Sequence, residues 1–132
     1  MQKTLRVKVI VEGEAEGDLL VCRNPISPLG DIDPVRGVLK TREGEQNLKG
    51  KVLVFPFMRG STVGSYVIYA LKYYRKEPAA IIVSKAEPIL VAGCVLAGIP
   101  LAESIGSNVV EEAMGFRKAK LVGDKNILVL ES

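Results

Sequence analysis

From Thr4 to Val11 apolar and polar residues alternate, with Leu5, Val7, Val9 and Val11 on one face and Arg6 and Lys8 opposite. That period of two predicts a half-buried strand. Glycines at 13 and 17 bracket the acidic stretch GEAEG, which reads as a turn sending the chain back as a second strand over Asp18–Cys22. The segment Asn24–Pro34 holds prolines at 25, 28 and 34 and a glycine at 30. It excludes a helix interior or a regular central strand and predicts a shaped loop. Arg36–Lys40 suits a short strand, followed by the polar turn TREGEQN.

The pattern then changes. Val52–Phe55 is continuously apolar, as in a strand covered on both faces, and Pro56 fits only at its end or at an edge. Val63, Tyr66, Val67, Ala70 and Tyr74 fall at i, i+3, i+4, i+7 and i+11, a stripe that predicts a helix buried along that face. Lys72, Arg75 and Lys76 crowd its last turns, beside the negative end of the dipole, and Pro78 stops it. The unit repeats: Ala79–Val83 as a strand, then Glu87–Ala97 as a helix with Pro88 in its first turn and Gly98 closing it. This second helix is apolar almost all round, which predicts burial. Ile99–Ala102 leads to a further strand, Asn108–Met114 has a helical pattern of marginal length, Gly123 and Asp124 form a turn, and Asn126–Leu130 reads as a last strand. Strands and hairpins flanking two strand–helix units predict a mixed α/β domain in three layers. The chain contains no GxGxxG and no P-loop pattern, so nothing points to a nucleotide fold.

Composition narrows the chemistry. A chain of 132 residues is read as one domain over 1–132, long enough to bury roughly two-thirds of its unfolded surface. Histidine and tryptophan are absent, so no imidazole is available as base, acid or metal ligand. Cys22 and Cys94 stand alone in apolar contexts and read as buried free thiols; two cysteines cannot build a four-thiolate zinc or iron–sulfur site. This chain is therefore expected to hold no metal. The N-terminal stretch alternates too early for a signal peptide, and no apolar run reaches about 18 residues, so a cytoplasmic chain without a membrane span is expected. The net charge is +3 with signs interspersed, and Arg117, Lys118 and Lys120 form the densest basic cluster. Without aromatic platforms it reads as a solvated face rather than a nucleic-acid surface.

The candidate chemistry lies in Arg59-Gly60-Ser61-Thr62-Val63-Gly64-Ser65, between the apolar strand and the first helix. The first amides of a helix lack carbonyl partners. Ser61 or Thr62 can cap them, although no Glu or Gln stands three residues on to make a capping box. Alternatively the same amides bind a phosphate or carboxylate and stabilise charge on the Ser61 oxygen. Gly60 permits a sharp turn, and Arg59 and Lys85 can add positive field or remain surface charges. Asp31 and Asp33 sit at i and i+2 in a proline-rich loop, where Asx-turns are the expected use.

Taken together, Asn24-Pro25-Ile26-Ser27, Asp33-Pro34, the GKVLVFP run of 50–56, Arg59-Gly60-Ser61 with Gly64-Ser65, and Ala97-Gly98-Ile99-Pro100 resemble the small, swivelling-domain subunit of the aconitase-X family, over essentially the whole chain. More narrowly they resemble its archaeal phosphomevalonate dehydratases. The resemblance implies a three-layer β/β/α swivelling domain docked on a separate large subunit as a heterodimer. It places a 4Fe-4S cluster on that partner and none on this chain. It implies removal of water from (R)-5-phosphomevalonate, a phosphorylated hydroxy acid, to give trans-anhydromevalonate 5-phosphate in an archaeal mevalonate route to isoprenoids. An iron of the cluster would act as Lewis acid on the leaving hydroxyl. Ser61 would accept the proton, with Arg59 as electrostatic support. Gly60, Thr62, Gly64 and Ser65 would contact substrate. Pro28-Leu29-Gly30-Asp31 departs from the wider family's pattern after the Pro-Ile-Ser segment. Two alternatives stay open: a related hydroxyproline-type dehydratase subunit, and a non-catalytic assembly domain whose glycine–serine turn only caps a helix.

Overall fold

The computed structural model describes residues 1–132. Ten strands occur in chain order: β1 (Gln2–Val11), β2 (Ala15–Val21), β3 (Ile32–Asp33), β4 (Val38–Thr41), β5 (Gly44–Asn47), β6 (Val52–Phe55), β7 (Ala80–Val83), β8 (Leu101–Ser104), β9 (Lys118–Val122) and β10 (Ile127–Glu131). The helices are α1 (Pro28–Asp31), α2 (Val63–Tyr73), α3 (Pro88–Ala97) and α4 (Val109–Ala113). Seven strands close into a barrel in the order β1-β10-β9-β2-β6-β7-β8, and β3-β4-β5 form a separate small sheet. The pairs β2–β6, β6–β7 and β7–β8 are parallel, and the other barrel pairs are antiparallel.

The barrel is flattened into two sheets because β1 and β2 each serve both. β1 pairs with β10 over residues 2–6 and with β8 over 7–11, while β2 pairs with β9 over 15–18 and with β6 over 19–21. Strand alternation then makes two cores. Val52, Val54, Ala80, Ile82 and Ala102 point into the barrel with Val7, Leu121, Leu128 and Leu130. Their neighbours Leu53, Phe55, Ile81, Val83 and Leu101 point outward, beneath Ile68, Leu71, Leu90, Cys94 and Ala97 of α2 and α3. An apolar run such as Val52–Phe55 is thus buried on both faces. Antiparallel sheet, parallel sheet and helices make the three β/β/α layers that the resemblance implies.

Gly17 sits where β2 leaves β9 for β6, and a Cβ there would lie 2.2 Å from the Gly50 carbonyl oxygen. Backbone cannot swing aside as a side-chain tip does. Gly17→Val is expected to destabilise the fold by about 1–3 kcal/mol, read as a lower urea midpoint; an unchanged midpoint would mean that the corner tolerates the extra volume.

Four expectations are corrected. GEAEG is no hairpin turn: β2 already starts at Ala15, and β1 and β2 are not neighbours. The buried stripe of α2 is Gly64, Val67, Ile68 and Leu71, at i, i+3, i+4 and i+7, leaving Val63, Tyr66 and Tyr74 exposed. Tyrosine counts as apolar in a pattern, yet its hydroxyl allows it to stay in water, so α2 had two plausible stripes. α3 is buried only on the side of Leu90, Gly93, Cys94 and Ala97, and Val95 and Leu96 are exposed. TREGEQN is only in part a turn, because Gly44–Asn47 form β5 against β4. The basic cluster is the solvated face expected, on β9, with Lys118 and Lys120 exposed and Ala119 and Leu121 in the barrel core. No helix is long and apolar enough to cross a membrane.

Candidate active site

The ends of β2 and β6 build the site. Beyond the last rung of their parallel ladder the two chains run on side by side: the Cys22 amide donates to the Val54 carbonyl at 2.8 Å, and Ile26 to Phe57 at 3.2 Å. The amide of Arg59 returns to the Ile26 carbonyl at 2.9 Å. Arg59 is thus tied to the Pro-Ile-Ser segment just before the chain turns into α2. The turn at Gly60 has φ of +122°, a region that L side chains rarely adopt, and its Cβ position faces open space.

Ser61 and Thr62 are exposed, and neither hydroxyl has a hydrogen-bond partner in the chain. The Ser61 carbonyl accepts from the Gly64 amide at 2.9 Å. The Thr62 carbonyl accepts from the Ser65 amide at 3.2 Å and from Ser65 Oγ at 2.8 Å. The amides of Gly60, Ser61, Thr62 and Val63 donate to no group of the chain. Side-chain capping is therefore not what Ser61 or Thr62 does: Thr62 takes helical dihedrals at the N-cap and makes no cap bond. The orphan amides of this helix end stay available.

The glycine–serine motif divides into two layers. Arg59, Gly60, Ser61 and Thr62 are at the surface, whereas Gly64 and Ser65 are buried beneath them. A Cβ on Gly64 would stand 3.3 Å from Met58 Cε, 3.4 Å from Pro28 Cγ and 3.5 Å from Ile89 Cγ2, so this glycine lets α1 and α3 close on the turn. The Ser65 hydroxyl proton is engaged by the Thr62 carbonyl, so Ser65 braces the turn.

Arg59 is exposed and forms no ion pair. Lys85 lies at the same end of the sheet, because the Ser84 and Lys85 amides donate to the Pro56 carbonyl at 2.9 and 3.0 Å. Its side chain is 75% exposed, with the ammonium 3.9 Å from the Glu87 carboxylate. Asp33 accepts from the Val35 and Arg36 amides, the expected Asx-turn, and from Arg36 Nε at 2.9 Å. The Arg36 guanidinium also forks onto Glu45, and its hydrogen bonds hold both carboxyls below their ordinary range. Asp31 accepts from the Ser27 amide at 2.8 Å across α1. The acids of the proline-rich loop are used for shape.

The cysteines do not meet. Cys94 is buried under α3, where burial pushes its thiol up to about 12, and Cys22 is half-buried with Sγ 3.4 Å from the Asn24 carbonyl. No three acids or thiols gather as a metal site. These residues do not fit an iron–sulfur cluster, and no step below passes through one on this chain.

No sequence pattern announces a cavity of about 780 Å³ between the β2 extension and the β4–β5 hairpin. Its walls are the Leu20–Ile26 stretch, the β4–β5 hairpin, Asp31 and Met114, segments too far apart in the chain to declare themselves.

Residues 4–130 match the family described as the aconitase X swivel domain. The chain belongs to that family. Among curated relatives of this swivel domain, the phosphomevalonate dehydratase small subunit of Thermococcus onnurineus is 42% identical over 130 residues, 96% of this chain and 98% of that protein. The protein of the same name from Methanosarcina mazei is 46% identical over 101 residues, 74% of this chain and 70% of that one. The crystal structure of Thermococcus kodakaraensis aconitase X in its holo-form superposes with a TM-score of 0.87 at 41% identity, covering 98% of this chain and 99% of the other.

Proposed function

We propose that this swivel domain, acting as one unit over 1–132, is the small subunit of a hydro-lyase that dehydrates (R)-5-phosphomevalonate. In this reading it works in the cytoplasm, active only with a large subunit that carries the iron–sulfur cluster. The observation that carries the reading is the free Ser61 hydroxyl set among unpaired amides at the end of β6, in a chain whose relatives are named phosphomevalonate dehydratase small subunits.

A serine hydroxyl is a poor base, and it can take a carbon-bound proton only where its alkoxide is favoured by fixed dipoles or cations. Here the helix end supplies the dipoles and Arg59 the cation. The Ser61 alkoxide takes the proton from the carbon next to the substrate carboxylate, and the C–H electrons become the new double bond as hydroxide leaves the neighbouring carbon. Ser61 then passes that proton to solvent, which balances the one that turns hydroxide into water; the partner's cluster would supply a Lewis acid for the leaving oxygen. Gly60 and Thr62 offer amides to the carboxylate, and Gly64 and Ser65 keep the turn in shape.

A half-site of this kind has to be covered. The outer faces of α2 and α3 fit that requirement: Tyr66, Tyr69, Tyr73, Val95 and Leu96 are exposed, and tyrosine is enriched where proteins meet. The non-catalytic alternative loses its support with the missing cap bond.

The test is anaerobic co-expression with the cognate large subunit, followed by an assay on (R)-5-phosphomevalonate once the cluster has been verified spectroscopically. Release of the anhydro product is expected. An assembled complex with an intact cluster that leaves this substrate untouched would end the reading, and turnover of a hydroxyproline-type substrate instead would replace it.

A further inference from the structure

We infer that the cavity between the β2 extension and the β4–β5 hairpin is a subsite for the phosphate end of the substrate, with Arg23, Lys40 and Arg42 as its cations. The inference rests on the functional reading above for the identity of the ligand and on the following geometry for its place.

The cavity, about 780 Å³, lies within the size range of small-ligand sites. One wall is the β2 extension from Cys22 to Ile26, which is hydrogen-bonded at Cys22 and at Ile26 to the β6 extension that ends in Arg59. The cavity wall and the segment leading into the Ser61 turn are thus neighbours in one ribbon, about 5 Å apart at strand spacing. A short-chain acid whose carboxylate end lies against the Ser61 turn can reach across that ribbon with its other end.

The chemistry of the lining suits a dianion. Arg23, Lys40 and Arg42 come from two separate segments, and none of them is ion-paired within the chain. Asn24 and Gln46 add amide donors. Two carboxylates also line the cavity. Asp31 spends an oxygen on the Ser27 amide, and Glu43 sits at the tip of the β4–β5 hairpin, leaving an excess of cations. The hairpin that brings Lys40 and Arg42 is braced by Arg36, which bridges Asp33 to Glu45, the cross-strand partner of Lys40, and so engages the carboxylate that faces Lys40. Arginine and lysine held this way bind phosphate through charge-assisted hydrogen bonds.

Two arms test this. In the assembled dehydratase, Lys40→Ala with Arg42→Ala is expected to raise KM for 5-phosphomevalonate about tenfold or more while kcat stays within about twofold, the mark of lost uniform binding. The charge-conserving exchange Lys40→Arg with Arg42→Lys should keep most of the wild-type KM. The parameters for unphosphorylated mevalonate should not move. In the full chain alone, titration with inorganic phosphate should shift the amide resonances of Arg23, Asn24 and Lys40–Arg42 saturably, and the double variant should lose those shifts. An unchanged KM in a well-assembled complex, or phosphate shifts confined to another region, would overturn the subsite. Should the wild-type complex with an intact cluster ignore the phosphorylated substrate, the functional reading fails, and the phosphate titration still decides the anion site. If the alanine pair folds poorly, Lys40→Gln with Arg42→Gln serves in its place under the same criteria.

Discussion

Ser61→Ala in the assembled complex is expected to lower kcat about 10³-fold, the middle of the range for removal of a general base, with little change in fold stability or assembly. The separation of the two effects is what gives the experiment its force. Ser61 is exposed and its hydroxyl bonds to nothing in the chain, so as a structural residue it has little to lose. A surface substitution of that kind stays within about 0.5 kcal/mol. A decrease of 10³ in rate corresponds to about 4 kcal/mol of transition-state stabilisation, far beyond anything the fold can account for. A second readout is exchange of the carbon-bound proton with deuterated solvent, which tests proton removal apart from water loss. Ser61→Ala should abolish it. Near-normal turnover or exchange would remove Ser61 from the chemistry, whereas loss of assembly would show that the residue serves the interface.

Gly60 bears on the same outcome. Its positive φ sets the direction in which the Ser61 amide and side chain leave the β6 extension. In the proposed reading Thr62 contributes its amide, which fits its lack of a cap bond. The turn would then work through its backbone, with the Ser61 hydroxyl and the Arg59 guanidinium as the side chains it presents for chemistry.

Much of this was legible from local pattern. Val52–Phe55 declares its two-sided burial, and Pro56 marks where the strand must stop. α3 starts at Pro88 and closes on Gly98 in the left-handed conformation, as proline and glycine at those ends dictate. What failed was what depends on distant partners. β2 could be drawn as a hairpin return of β1 because the pattern of one strand does not name its neighbour, and the closed barrel separates the two. α2 offered two faces of similar hydrophobicity, and the choice fell to whichever let Gly64 meet Pro28 and Met58. In the proline-rich loop, α1 was hidden because a single turn leaves no period to read; Pro28 opens it and Asp31 folds back onto the Ser27 amide. The motif around Ser61 was readable as a turn, but whether its hydroxyl capped the helix or stayed free was a matter of geometry. The cavity with Arg23, Lys40 and Arg42 joins segments that only the tertiary fold brings together.

Phe55→Ala is expected to destabilise the chain by about 3–5 kcal/mol, the largest stability effect among these predictions. Phe55 is the last residue of β6, 1% exposed, and belongs to the core between the parallel sheet and the helices. It shares that core with Ile68 of α2 and Leu90 of α3, and it pairs with Val83 in the β6–β7 ladder. Truncation removes a ring's worth of buried surface and leaves a cavity that strands fixed in a closed barrel cannot collapse to fill. Against a total stability of about 5–15 kcal/mol for a domain, that is a large fraction. The guanidinium midpoint should fall accordingly, with the slope of the transition retained. Leu29→Ala, at a side chain 72% exposed, should leave the midpoint in place. The loss should also reach the chemistry. Phe55 leads directly into the Pro56–Gly60 segment that carries Ser61, so activity in the complex should decline at temperatures where the variant is still mostly folded. A midpoint shift below about 1 kcal/mol would mean that α2 and α3 settle onto the sheet without the ring, and that the position of the Ser61 turn owes more to the Ile26–Arg59 ribbon than to the core beneath it.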